Sequence, residues 1–174
     1  MKMLLKTVYV GIFVFLLSCG NENHRNNKLN TENIKEPMMD VNKILVRKES
    51  DEINQYVLRR KWEMTQTGTG LRCMIYKNGT GDSARLGMRA KINYKISLLN
   101  GTVCYTSEKT GPKDFLIGQD YVETGLHEGI QLLRAGDHAI LILPSHLALG
   151  LLGDFEKIPA RSTIVYDIEL LSVN

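Results

Sequence analysis

DYVETGLHEGIQLLRAG, residues 120–136, is the one convincing helical stretch in a region that otherwise reads as strand. Val122, Leu126, Ile130 and Leu133 recur at three- and four-residue spacing and make one apolar stripe. Asp120 stands at an N-terminal cap position, Arg134 in the last turn, and Gly136 where a helix would stop. The spacing predicts a helix over 120–136. Runs with strand periodicity flank it, and a lone helix among strands hides its stripe only against their sheet. It is expected to be the wedge that a curved sheet wraps.

Residues 89–99 alternate, with Ile92, Tyr94, Ile96 and Leu98 on one face and Lys91, Asn93, Lys95 and Ser97 on the other. Asn100-Gly101 is a hairpin signal leading into Val103-Cys104-Tyr105. Shorter strands are expected at 71–76, 114–117 and 138–143, followed by a long loop at 147–161. A last strand at 163–171 places Ile164, Tyr166, Ile168 and Leu170 on one face. The expected class is α+β: a curved, mostly antiparallel sheet around one short helix, occupying 65–174.

The N-terminal third reads differently. Lys2 and Lys6 precede the unbroken apolar run 8–17, which is shorter than the about 20 residues of a membrane span. Residues 1–18 therefore read as a secretory signal. Its end, Leu16-Leu17-Ser18-Cys19, resembles a bacterial lipobox, which implies lipidation of Cys19 and a protein tethered to a membrane. Two acyl signals exceed what stable anchoring requires. Residues 19–48 are expected to form a flexible tether, because Asn-rich 20–37 has too few apolar residues to offset its ordering entropy. A short amphipathic helix is expected within 49–64, at 51–61, with Ile53, Tyr56 and Val57 as its narrow stripe.

Composition sets outer limits. With 174 residues, 43% hydrophobic and 24% charged, the chain is neither a multi-span membrane protein nor wholly disordered. Its formal charge of +3 falls to about +1 without Lys2 and Lys6, too little to point to nucleic acid. His24, His127, His138 and His146 lack metal-ligand spacing, and Ser145-His146 has no third group for a triad. Neither metal nor cofactor is expected. Cys73 and Cys104 either form a disulfide, which needs about 4.4–6.8 Å between their Cα atoms, or remain two buried thiols.

Five segments in order carry a family resemblance: INYKISLLNGTVCYTS, FLIG, VETGLHEGIQLLRAGD, LPSHLALGLLGD and KIPARSTIVYDIELLSV. Together they resemble the FK506-binding-protein family of peptidyl-prolyl cis-trans isomerases. The lipobox, the tether and the variants GLHEGIQLL and GD-x-x-KIP are most similar to a gliding-motility-associated lipoprotein branch in Bacteroidetes.

The resemblance implies a reaction that needs no nucleophile. Rotation about a peptide bond has a barrier of about 18–20 kcal/mol because it breaks amide resonance. For Xaa-Pro bonds the two isomers differ by only about 0.5–1 kcal/mol. A dry apolar pocket that grips the ring, and an N–H that holds a substrate carbonyl, are sufficient tools. Matched to the family, Tyr94, Phe115, Val122, Ile158 and Tyr166 fall at pocket positions, and Glu123 falls where a backbone N–H meets the ligand. The family's side chain there is usually Ile.

Other positions depart. Cys104-Tyr105 replaces Phe-Asp, Leu126 replaces the Trp of the pocket floor, and Leu149 replaces a Tyr whose hydroxyl holds the ligand. These losses imply weakened catalysis or inhibitor binding. On residue pattern alone, Tyr94 and Tyr166 serve as core residues equally well, and Leu126 is more simply a core residue than a pocket floor.

The resulting expectation is a monomeric prolyl isomerase, lipid-anchored in the cell envelope and facing the periplasm. It would act on Xaa-Pro-containing exported polypeptides, with a possible tie to gliding motility through the branch resemblance. Two alternatives stand beside it: a tethered, non-catalytic binding or chaperone module, and a structural subunit of an envelope machine.

Overall fold

AILIL, at 139–143, has no polar residue, and a strand of this kind needs cover on both faces. In the computed structural model, which describes residues 32–174 with side chains from residue 39, the strand β6 (His138–Leu143) has both. The chain falls into two units, Met1–Asp40 and Val41–Asn174, and the second holds every strand. The signal run, the lipobox and Cys19 lie outside the described residues. Among those described, no helix is long and apolar enough to cross a membrane.

A long helix α1 (Glu32–Arg60) comes first, followed by β1 (Thr65–Gln66), β2 (Arg72–Lys77), β3 (Arg89–Leu98) and β4 (Val103–Thr106). Then come a four-residue helix α2 (Ser107–Thr110), β5 (Lys113–Leu116), α3 (Thr124–Ile130), β6 and β7 (Ile164–Val173). The strands form one antiparallel sheet in the order β1-β2-β6-β7-β3-β4, with β5 also paired to β3. Register aligns inward residues in rows: Cys73 opposes Leu141, Leu141 opposes Tyr166, and Tyr166 opposes Ile96. All four belong to the main core beneath α3.

The wedge is shorter than its sequence pattern. Helix α3 runs only from Thr124 to Ile130, not over 120–136, because the flanking residues find other partners. Asp120 does not cap it; its carboxylate accepts the Leu116 N–H at 2.7 Å and closes the preceding turn. After Ile130 the chain tightens into i→i+3 turns, and Ala135 donates to Asp82. The Arg134 N–H goes to Asp137 Oδ2. Gly136 is needed for another reason than helix termination. It has φ +91°, and a Cβ there would stand 3.0 Å from Gly79 Cα. The stripe is nonetheless real: Leu126, Ile130 and Leu133 are buried. Gly125 and Gly129 let α3 lie close to β6, since a Cβ on Gly129 would come within 2.4 Å of Leu141.

The second face of β6 is covered by α1. Ile53 and Tyr56 are buried against Ile140, Ile142 and Val165. A polar latch reinforces this packing. The Glu49 carboxylate accepts from the Ser145 N–H (2.7 Å), the Ser145 hydroxyl (3.0 Å) and the Thr163 hydroxyl (2.6 Å). Arg72, 4% exposed, donates to Asn54 Oδ1 at 2.7 Å and to Ser50 at 3.3 Å. The helix expected at 51–61 thus starts earlier, at Glu32, and takes in residues read from the sequence as tether. Sequence pattern also gave no sign of α2 or β1, each too short to show a period.

Candidate active site

Two adjacent strands carry the tyrosines that define the site. Tyr94 of β3, opposite Ile168, and Tyr166 of β7, opposite Ile96, are diagonal neighbours across the strand pair, with ring centroids 6.2 Å apart and planes at 56°. Ser107 of α2 accepts the Tyr94 N–H at 3.1 Å, and Thr110 at the other end of α2 meets the Tyr94 hydroxyl at 2.8 Å. The short helix therefore fixes the outer tyrosine. Tyr166 is fully buried, and its hydroxyl donates to Glu123 Oε1 at 2.9 Å. Burial first, then the neighbouring Glu123 charge, pushes its phenol well above the usual range, so it is a donor at any working pH.

Lys113 completes the arrangement. Its ammonium lies 5.3 Å from the Tyr94 ring centroid and 5.9 Å from that of Tyr166, and 3.8 Å from Glu123 Oε2. Sequence reading missed it. The available signal was strand alternation, which puts Lys113 on the same face as Phe115 two residues on. Phe115 itself lies deeper: it is 1% exposed and packs edge-on against His127. His127 accepts the Gly118 N–H on Nδ1 and sits 2.9 Å from the Asp120 carbonyl on Nε2, bracing the loop ahead of Glu123.

The remaining nominated residues share this environment. Leu126 and Ile158 are buried in the same core as Tyr166, and Val122, Tyr105 and Leu149 pack on it half-buried. Leu126 is fully buried and offers no open floor. The Tyr105 hydroxyl donates to Asp154 Oδ2 at 2.5 Å, which raises its own pKa, while Lys157 lies over its ring at 4.7 Å. Asp154 Oδ1 also accepts the N–H groups of Glu156, Lys157 and Ile158 at 2.8–2.9 Å. Burial alone raises the Asp154 pKa, but the bonds from Tyr105 and these amides outweigh it and hold it at about 2. Tyr105 thereby anchors the turn that presents Ile158.

Cys73 and Cys104 are both free, buried thiols, each pushed up by burial, Cys73 to about 11. A separate cavity of about 1020 Å³ opens between α1 and the loops near Leu98, His146 and Arg161, and none of the nominated residues lines it.

One polar group at the site is unspent. The Glu123 N–H reaches no acceptor among the described residues, while the Glu123 carbonyl accepts from Leu126 and His127. Two aromatic rings, aliphatic walls and an available N–H on one concave face can hold a proline ring and its preceding carbonyl.

This sheet wrapped on a short helix is the α+β fold of FKBP-like prolyl isomerases. The chain aligns structurally with FkpA from Escherichia coli at TM-score 0.64 and 23% identity, covering 97% of this chain and 81% of the other. A peptidyl-prolyl cis-trans isomerase from Pseudomonas syringae pv. tomato gives TM-score 0.62 at 23% identity, covering 76% and 95%.

The profile of the FKBP-type peptidyl-prolyl cis-trans isomerases matches residues 81–171, and the chain belongs to that family. It is 35% identical over 115 residues to FkpA of Aeromonas hydrophila, covering 66% of this chain and 42% of that protein. It is 30% identical over 104 residues to FK506-binding protein 1 of Dictyostelium discoideum, covering 59% and 97%. Several relatives are longer: the chain spans 29% of FK506-binding protein 4 of Rhizopus delemar and 43% of FkpA of Buchnera aphidicola subsp. Schizaphis graminum.

Proposed function

We propose that this protein is a prolyl isomerase of the cell envelope that speeds folding of exported polypeptides. The observation that carries the reading is the Tyr94–Tyr166 pair beside the unbonded Glu123 N–H, in a chain of this family. The aromatic faces and Ile158 grip the ring, the N–H holds the carbonyl before it, and the dry wall favours the twisted, less charge-separated amide. Leu16-Leu17-Ser18-Cys19 supports lipid anchoring, and hence a periplasmic face where no ATP-driven chaperone works. The GLHEGIQLL and GD-x-x-KIP variants support a link to gliding motility.

The test is refolding of a protein whose slow phase is an Xaa-Pro isomerisation, which uncatalysed takes tens to hundreds of seconds. Catalytic amounts of the full chain are expected to accelerate that phase in proportion to enzyme concentration. An unchanged slow phase would overturn the reading.

A second reading has one observation in its favour. Lys113 already lies over both tyrosine rings, where a proline ring would sit. A site whose cover is costly to displace binds proline segments without turning them over rapidly. Binding that saturates without acceleration would favour this non-catalytic module.

A further inference from the structure

Glu123 carries an oxygen that the fold leaves unused. Its side chain is 7% exposed; Oε1 accepts the Tyr166 hydroxyl, and Oε2 has no hydrogen-bond donor. The Lys113 ammonium is 3.8 Å from Oε2, close enough for charge balance but beyond hydrogen-bond reach. A buried acceptor without a donor is costly, about 1–3 kcal/mol, and more for a charged group. Buried polar atoms of this kind are rare enough to call for a reason.

The same residue holds the unbonded N–H. Glu123 thus offers one donor and one acceptor, neither of them hydrogen-bonded among the described residues, beside the two tyrosine rings. An extended peptide presents the matching set, a C=O and an N–H. Proline itself has no N–H, so the donor must belong to a residue next to it.

Resting on the proposed isomerase reading, we infer that Glu123 is a specificity-determining acceptor. When the proline ring displaces the Lys113 ammonium from over the tyrosine rings, Glu123 Oε2 takes the backbone N–H of a residue flanking the proline. The substrate class is an extended Xaa-Pro segment whose flanking amides are unsubstituted, in preference to one with a second proline or an N-alkylated residue beside the first.

The test uses the full-length chain and three peptides of one sequence: the parent, and two in which an ester replaces the amide N–H on either side of the Xaa-Pro unit. Affinity and isomerisation rate are measured together by NMR titration and exchange spectroscopy, for the parent protein, Glu123→Gln and Glu123→Ile. Thermal melts identify variants that remain folded. Glu123→Gln keeps the volume but places an NH2 group where one oxygen was, turning that atom from acceptor to donor.

The parent protein is expected to bind one of the two ester peptides about tenfold more weakly than the amide, and both variants to lose that discrimination. Equal discrimination by the parent protein and both variants would overturn the assignment. If tenfold discrimination appears in affinity but no peptide is isomerised, the acceptor stands and the isomerase reading falls. If no peptide binds at all, both fall.

Discussion

A Tyr166→Ala chain should be about 3–5 kcal/mol less stable than its parent, the range for truncating a large buried aromatic. Domains of this size have about 5–15 kcal/mol in total, so the variant should lose a large share of its stability. Two losses add. The ring sits fully buried at the centre of the inward rows, between Leu141 and Ile96. Its hydroxyl is also the hydrogen-bond donor to a Glu123 carboxylate that is mostly out of water. Tyr166→Phe separates them: it keeps the packing and should cost about 1.5–3 kcal/mol, the scale of a hydrogen bond to a charged group. Urea midpoints for both variants, with unchanged m-values, check this. A Tyr166→Phe cost below about 0.5 kcal/mol would mean that Glu123 finds another donor.

Ile53→Ala should be nearly as damaging, by about 2–5 kcal/mol, although Ile53 lies on the helix before the first strand. Ile53 has no exposed surface and packs with Ile140, Ile142 and Val165 on the outer face of β6 and β7. The Glu49 and Arg72 bonds hold α1 against that face, which limits collapse around the cavity. Loss of helical signal from α1 alone, with the sheet melting at its usual temperature, would show that α1 is an appendage. A single lowered transition for the whole domain is the expected outcome.

That expectation explains why part of the fold was readable and part was not. Alternation in β3 and β7 gave their faces directly, because Ile92, Ile96, Ile164, Tyr166, Ile168 and Leu170 are all buried. The unbroken AILIL of β6 also held the information that a second layer exists, but it did not say which segment supplies it. The stripe of α1 is narrow, and much of its hold comes from Glu49 and Arg72, whose partners Ser145, Thr163 and Asn54 no periodicity reveals.

Helix α3 shows the converse. Its stripe was legible, yet at its C-terminal end Asp82 and Asp137 capture the Ala135 and Arg134 N–H groups that a longer helix would have used, and at its N-terminal end Asp120 closes the preceding turn on the Leu116 N–H instead of capping. The candidate site was legible chiefly through family pattern. Tyr94 and Tyr166 read from the sequence as core residues just as well, and the packing accords with that: Tyr166 belongs to the main core and Tyr94 packs against it, with ring centroids 6.2 Å apart. Lys113 escaped notice because an isolated lysine on a short strand reads as a solvated side chain. Its role appears only once β5 is paired to β3, with Lys113 opposite Ile92. Tyr105, standing where the family has Asp, turned out to hold Asp154 and the Ile158 turn.

The measurement that bears most directly on the central claim is exchange spectroscopy on a short Xaa-Pro peptide with the full-length chain and its Tyr94→Ala variant. Tyr94 is half-buried, and among the described residues its hydroxyl bonds to Thr110 alone, so its loss should spare the fold better than that of Tyr166. The expected result is cis–trans exchange speeded by the parent protein and slowed about tenfold or more in the folded variant. Exchange that the parent protein does not accelerate, or that is equally fast in Tyr94→Ala, would contradict the assignment of this cleft as the catalytic site.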